Sequence, residues 1–246
     1  MARHILVVPG FAELLRARIE GCFRDRIEHQ GRADGLTKPP HHGDHAIKAR
    51  DSIVPMMRRG DQGLGLVVAP AAMRIAMEKA KMCGTGWVAV RNSNHFGIAG
   101  EHAMMALDED MIGMAMTNAS PLVAPVNSVE RLLGTNPICV AIPAGDQPPF
   151  VADFATTTAA NGNLEILQRK NQLAPSGWIQ TREGASSNNP DELKSGGALI
   201  PLGSDKEHGS HKGYCLGAWV DIFSAVLSGA NYGPWVPPFV SFLAPP

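Results

Sequence analysis

The sequence predicts a mixed fold of the α/β (α+β) class, and three observations support this prediction. Helix-like and strand-like segments alternate along the chain from Asp61 onward. The 246 residues are enough for one large domain or two small ones with a sizeable core. With 44% hydrophobic and 18% charged residues, the composition is typical of an ordinary globular protein.

The first elements follow from apolar periodicity. Apolar residues at helical spacing predict helices over 11–29 and 67–82, separated by a stretch from 31 to 60 that has no clear periodicity. Pro70 falls in the first turn of the second helix, where proline is tolerated, and Gly84 predicts its end. An apolar run then predicts a strand over 86–90, and a helix follows over about 99–108.

The later elements follow from short apolar runs and turn residues. Three such runs predict buried strands over 111–117, 137–142 and 149–153. Helices are predicted over 155–169, with Gly162 as a weak point, and over 214–227, which is apolar enough to be buried. Residues 171–197 are polar and rich in turns, and the five prolines after Gly229 favour neither helix nor strand.

Charge and cysteine spacing exclude several classes of protein. The formal net charge of −1 argues against recognition of nucleic acid or an anionic membrane through bulk charge. No apolar run is long enough to span a bilayer, and the N-terminal one is too short for a signal peptide. The four cysteines form no C-x-x-C pair, which excludes a zinc ribbon or a thioredoxin-like site. We expect a cytoplasmic protein with reduced thiols.

Two common kinds of site do not fit the sequence. Gly63-Leu64-Gly65 opens a helix, but no apolar strand precedes it and Val68 stands where a dinucleotide fingerprint needs a third glycine. A standard Rossmann site is therefore rejected. Histidines gather in two polar loops, but without a carboxylate or cysteine at metal-ligand spacing, so we predict solvated histidines and no metal. These histidines are His41, His42, His45, His208 and His211.

The segment Asn-Ser-Asn-His-Phe-Gly at 92–97 places His95 between a predicted strand and a predicted helix. Turns of this kind carry much of the chemistry of α/β proteins. An imidazole titrates near neutral pH, so His95 can take or give a proton. The alternative is a solvated or structural histidine.

Three further turns are candidate ligand contacts. Residues 134–137, Gly-Thr-Asn-Pro, offer a hydroxyl and an amide, with a plain turn as the alternative. Asp153 ends an apolar strand before a helix, where a carboxylate can accept hydrogen bonds from ribose hydroxyls or act as an N-cap. Lys212 lies between glycines at the start of an apolar helix, where it can hold a phosphate or a carboxylate or be merely solvated.

Taken in order, these segments resemble the malate/L-lactate dehydrogenase family, whose members are NAD(P)-dependent and distinct from the Rossmann-type malate and lactate dehydrogenases. The resemblance covers about residues 61–246, with residues 1–60 as an atypical N-terminal segment. The matching segments are 63–69, 90–97, 116–118, 133–138, 153–157 and 211–214.

The resemblance implies a family-specific fold that binds NAD or NADP without a glycine fingerprint. It makes residues 61–246 the NAD(P)-binding and catalytic domain and implies a homodimer with the cofactor near the subunit contact. The implied activity is hydride transfer between NAD(P) and a small 2-hydroxy acid such as malate or lactate. His95 matches the family's general acid/base. The implied cofactor contacts are Ser120, Thr135, Asn136, Asp153, Phe154, Ala155 and Lys212.

Two departures from the family pattern leave alternatives open. Residues 1–60 lack the family's Asp-Ser-His-Gly segment and the arginine after it that clamps the substrate carboxylate, with Arg58 and Arg59 as candidate replacements. The family also continues well past the proline-rich segment at which this sequence stops. The alternatives are an inactive, truncated member that keeps only cofactor or dimer contacts, and a cyclic-imine reductase on the same scaffold.

Overall fold

A computed structural model describes residues 63–238. The helix predicted over 11–29, the loop with His41, His42 and His45, and the candidate arginines 58 and 59 lie outside this range. The helices are α1 (Gly65–Cys83), α2 (Ala99–Met104), α3 (Asn161–Arg169) and α4 (Ser210–Ser224). The strands are β1 (Gly113–Met116), β2 (Ile138–Ile142), β3 (Phe150–Phe154), β4 (Ile179–Gln180), β5 (Ser186–Ser187) and β6 (Ala198–Leu199). Four 3-10 helices cover Met105–Glu109, Glu192–Ser195, Val226–Ser228 and Gly233–Trp235.

The strands form two small sheets with the orders β1-β2-β3 and β5-β4-β6. Every pair of neighbouring strands in these sheets is antiparallel. The mixed helix-and-strand prediction is therefore confirmed, and so is the rejection of a standard Rossmann layout, which needs a mostly parallel sheet. No helix within residues 63–238 has the length and apolar character to cross a membrane.

Helix α1 confirms the best-defined prediction and extends it by two residues at its start. Met73 and Ala76, on its apolar face, are fully buried. Gly84 ends the helix as predicted, because its φ of +79° is left-handed and its N–H bonds to the Ala80 carbonyl at 2.7 Å. The earlier start moves Pro70 out of the first turn and into the second, where it leaves one helical hydrogen bond unmade.

Three other predictions need correction. Residues 86–90 contain only isolated bridges at Trp87 and Val90, so the predicted strand is a buried extended segment. Strand β3, an edge strand of its sheet within the described residues, is mostly exposed rather than buried. Helix α4 starts at Ser210 and is only partly buried, since Ile222 is 48% exposed.

The predicted helix over 155–169 begins only at Asn161. The backbone before it is paired elsewhere, because Thr156 N–H bonds to the Thr135 carbonyl at 2.9 Å and Thr158 N–H bonds to the Ile200 carbonyl at 3.0 Å. These bonds replace the bonds of a first helical turn. They also hold the segment after Asp153 against the 134–137 turn.

The largest core cluster lies between α1, α2 and the β1-β2-β3 sheet. Phe96 belongs to this cluster and is 4% exposed. Burying an aromatic side chain is worth a few kcal/mol, on the order of 1.5–3. Phe96 therefore anchors the turn that carries the exposed His95.

Replacing Gly162 with alanine should stabilise the protein by about 0.5–1 kcal/mol, because glycine loses more backbone freedom in a helix than alanine does. A Cβ at Gly162 has no atom within 4 Å, so the methyl group costs no packing. Gly84→Ala is the matched control and should destabilise by roughly 1–2 kcal/mol, because alanine is strained at its positive φ. Urea unfolding measures the change in stability of both variants, and a lower midpoint for Gly162→Ala than for the wild type would contradict the prediction.

Candidate active site

The turn that carries His95 rests on the start of α1. The His95 carbonyl accepts the Gly65 N–H at 3.1 Å, and Asn94 N–H bonds to the Gly63 carbonyl at 3.0 Å. The His95 side chain is exposed, and its Nδ1 accepts the N–H of Gly97 at 3.0 Å. Gly97 has a φ of +78°, and a Cβ there would lie 2.7 Å from Leu66 Cδ2. Only glycine fits this turn without strain.

The contact with Gly97 selects one form of the His95 ring. Because Nδ1 accepts a hydrogen bond, the neutral imidazole carries its proton on Nε2. In this tautomer the ring donates through Nε2. To take up a proton at Nε2 the ring must first carry its proton on Nδ1, which the Gly97 N–H opposes. The imidazolium that acts as a general acid also carries a proton on Nδ1, so either direction of proton transfer at Nε2 requires the ring to exchange its contact with Gly97.

Asp153 joins the His95 region to the end of β3. Its Oδ2 accepts the N–H of Gly100 at 2.7 Å. Gly100 lies in the first turn of α2, the helix that follows His95. The carboxylate therefore caps α2, and its negative charge interacts favourably with the positive end of that helix. Helix α3, which follows Asp153 in the sequence, receives no side-chain cap.

Cys139 lies opposite Asp153 across the β2-β3 pair and is fully buried. Burial, and secondly the Asp153 charge, raise the pKa of the Cys139 thiol to about 11. The thiol stays protonated at neutral pH and is not an activated nucleophile.

Thr135 and Asn136 hold three segments together. The Thr135 carbonyl accepts both the N–H of Thr156 at 2.9 Å and its hydroxyl at 3.1 Å. Asn136 is fully buried, with Oδ1 accepting the Ala119 N–H at 3.0 Å and Nδ2 donating to the Gly217 carbonyl at 2.9 Å. Its φ of +31° is one that asparagine tolerates better than most residues. The Asn136 amide thus ties the 119–120 loop to α4.

The other predicted cofactor residues lie around this junction. Lys212 is exposed in the first turn of α4, a 15-residue helix without a side-chain cap. Phe154 is 40% exposed, and Ala155 is half-buried. The Ser120 hydroxyl donates to the Pro237 carbonyl at 3.2 Å. Exposed Lys212 at a positive helix end suits a phosphate, and the exposed Phe154 ring suits a planar base, so the groups present fit an anionic dinucleotide.

Hydrogen bonds connect most of the predicted residues into one region. Asp153 bonds to α2 behind the His95 turn, the segment after Asp153 bonds to Thr135, and the next residue, Asn136, bonds to both Ala119 and α4. Lys212 is linked to this region through α4. The candidate site therefore spans the His95 turn, the end of β3, the 134–136 turn and the start of α4.

Sequence reasoning missed a buried polar cluster beside this region. Asp221, on α4, is 5% exposed and accepts bonds from Asn118 Nδ2 at 3.1 Å and from Gly233 N–H at 2.9 Å. Burial raises the pKa of Asp221. Asn118 Nδ2 also donates to the Asn231 carbonyl at 3.0 Å. A lone carboxylate inside the apolar run 214–227 was the feature that could have identified this cluster.

Two further features lie away from the predicted residues. A polar cavity of about 490 Å³ is lined by residues that include Asn127, Gln180, Ser204 and Lys206, but by none of the predicted site residues. Among residues 63–238, no group of three or more His, Cys, Asp or Glu side chains is placed to hold a metal ion. His208 instead pairs with Asp205 at 2.6 Å.

A family model described as malate/L-lactate dehydrogenase matches residues 41–244. The chain belongs to this family. The match confirms the resemblance and starts about twenty residues before the predicted boundary near residue 61.

Individual proteins of the family are similar over most of this chain. Malate dehydrogenase from Pyrococcus horikoshii is 50% identical over 178 residues, which are 72% of this chain and 49% of that protein. A Delta(1)-pyrroline-2-carboxylate/Delta(1)-piperideine-2-carboxylate reductase from Pseudomonas syringae pv. tomato is 32% identical over 66% of this chain and 46% of its own. The crystal structure of malate dehydrogenase from Entamoeba histolytica superposes with a TM-score of 0.68, at 41% identity, over 71% of this chain and 50% of that one. The chain thus spans about half the length of these relatives.

Proposed function

We propose that this chain is an oxidoreductase that transfers a hydride between NAD(P) and a small 2-hydroxy acid of the malate or lactate type. The observation that carries the proposal is the exposed His95 imidazole, whose Nδ1 accepts the Gly97 N–H on a turn braced by α1 and α2. Membership of a dehydrogenase family supports the reaction class. The bound nicotinamide supplies the hydride, and the residues of the chain supply positioning and the proton.

His95 is the proposed general acid/base. In the direction of 2-oxo acid reduction, the imidazolium form of His95 donates its Nε2 proton to the substrate oxygen as that oxygen gains negative charge, and the ring is left neutral with its proton on Nδ1. In the reverse direction this neutral ring accepts the hydroxyl proton at Nε2. Both directions need a proton on Nδ1, so in both the ring must exchange its contact with the Gly97 N–H.

We propose that the cofactor contacts come from the candidate site around the His95 turn, the end of β3, the 134–136 turn and the start of α4. Lys212 holds a phosphate through its charge, and Asp153 accepts hydrogen bonds from ribose hydroxyls while it caps α2. Asn136 contributes by holding the 119–120 loop, since its own side chain is buried. The remaining proposed contacts are Ser120, Thr135, Phe154 and Ala155. We further propose that residues 61–246 form the NAD(P)-binding and catalytic domain of a cytoplasmic homodimer.

A titration and an activity panel test the proposal. NADH or NADPH is titrated against the full chain with nicotinamide fluorescence as the readout, and turnover is measured with malate, lactate and sulfolactate and with their 2-oxo acids. Cofactor binding with turnover of one acid is the expected result. Binding without turnover would favour the inactive-member alternative, and neither binding nor turnover would reject the proposal.

Cyclic-imine reduction is the second candidate function. It is favoured by the similarity to the Pseudomonas syringae reductase, whose name specifies cyclic imino acids. Adding such an imine to the same panel decides between the two candidates. Reduction of the imine without turnover of any 2-oxo acid would select this function.

A further inference from the structure

His102 lies buried directly behind the turn that carries His95. It is on α2, is 1% exposed, and its ring stacks on Phe96 with centroids 5.1 Å apart and an interplanar angle of 27°. Its Nε2 is 2.7 Å from the Phe96 carbonyl oxygen. Since a carbonyl can only accept, Nε2 carries the proton and donates it.

The other nitrogen of this ring supports the same tautomer. His102 Nδ1 is buried and has no hydrogen-bond partner among residues 63–238. A proton on Nδ1 would be a buried donor without an acceptor, which is unfavourable. His102 therefore holds the tautomer with its proton on Nε2.

One peptide group connects the two histidines. The carbonyl that His102 binds and the N–H that binds His95 Nδ1 belong to the same Phe96–Gly97 peptide. A trans peptide is planar, and its C=O and N–H point in opposite directions. Holding the carbonyl on the buried side therefore aims the Gly97 N–H at the exposed imidazole.

We propose that His102 is the positioning residue for His95. It fixes the plane of the Phe96–Gly97 peptide, and this plane keeps His95 in the tautomer that carries its proton on Nε2. The catalytic consequence, that the reacting imidazole is held in a fixed position and must exchange its Gly97 contact when Nδ1 is protonated, rests on the proposed function. The tautomer itself does not.

Two substitutions separate this role from simple packing. His102→Phe keeps an aromatic ring against Phe96 and removes the donor to its carbonyl. His102→Gln removes the ring and keeps an N–H donor of similar reach. A packing role alone predicts that the phenylalanine variant is the milder one, whereas a positioning role predicts that the glutamine variant is.

The decisive measurement is the tautomer of His95 in the full chain labelled with ¹⁵N-histidine. Long-range ¹H–¹⁵N spectra are recorded at neutral pH, and His95→Gln identifies the His95 signals. We expect the Nε2–H tautomer of His95 in the wild type and in His102→Gln, and a mixture of tautomers in His102→Phe. An unchanged His95 tautomer in His102→Phe would overturn the proposal. If that variant does not fold, an Nδ1–H tautomer for either histidine in the wild type would overturn it, and Nε2–H tautomers for both would support it.

Turnover provides a second readout. With a 2-oxo acid reduced by the wild type, His102→Phe should lower kcat by about 10- to 100-fold while the cofactor KM stays nearly unchanged, because a small misplacement of the reacting imidazole is costly to the rate. His102→Gln should restore most of the rate. A wild type that turns over no substrate would reject the proposed function, and the spectra would still decide the role of His102.

Discussion

Replacing His95 with alanine should lower turnover by about 10²- to 10⁴-fold, the usual contribution of a general acid/base. The substitution removes the proton donor but leaves its surroundings, because the side chain is exposed and the turn is held by backbone bonds and by Phe96. The loss should fall on kcat, with cofactor affinity preserved. Steady-state rates with a 2-oxo acid and reduced cofactor, together with a fluorescence titration, measure both quantities.

His208→Ala is the matched control for His95→Ala. His208 is another exposed histidine, and its partner is Asp205 rather than any proposed site residue. Its replacement should leave turnover unchanged. Undiminished turnover of every substrate by His95→Ala would show that His95 has no role in the mechanism, although the chain would still be an active enzyme.

Replacing Asn136 with alanine should lower the free energy of unfolding by about 2–5 kcal/mol. The substitution leaves the Ala119 N–H and the Gly217 carbonyl without their partners, and each buried orphan costs roughly 1–3 kcal/mol. Alanine is also less tolerant of the positive φ. Urea unfolding followed by circular dichroism gives the difference in the free energy of unfolding between the wild type and the variant. An unchanged m-value would show that the two proteins unfold in the same way.

The control for this prediction is Asn163→Ala on α3. Asn163 is exposed, so its replacement should change the free energy of unfolding by no more than about 0.5 kcal/mol. Asn136→Asp should not rescue the alanine variant, because its second oxygen would face the Gly217 carbonyl instead of donating to it. An Asn136→Ala variant as stable as Asn163→Ala would contradict the assigned role of the amide.

Sequence patterns predicted those helices and strands whose bounds depend on residues nearby in the chain. Helix α1 follows from apolar spacing and from a glycine at its end, both of which are read within about twenty residues. Helix α3 was predicted to start near residue 155 but starts at Asn161, because Thr156 and Thr158 bond to Thr135 and Ile200. Those partners are distant in sequence, so periodicity carries no information about them.

The same limit applies to the candidate site. Motifs made His95, Asp153 and Lys212 candidate site residues, yet they did not indicate that Asp153 caps a helix 53 residues earlier in the chain. A capping residue is normally assigned to the helix that directly follows it in the sequence. The His95 tautomer depends on a single peptide plane and on a buried histidine seven residues away, and no spacing rule predicts such a relation.

The contact between Asp153 and Gly100 has a mechanical consequence. Asp153 Oδ2 joins the end of β3 to the first turn of α2, and the segment that carries His95 leads directly into that turn. A displacement of the strand end is therefore passed to the start of α2 and to the residues before it. The strand end and the His95 turn are thus mechanically linked through one oxygen atom.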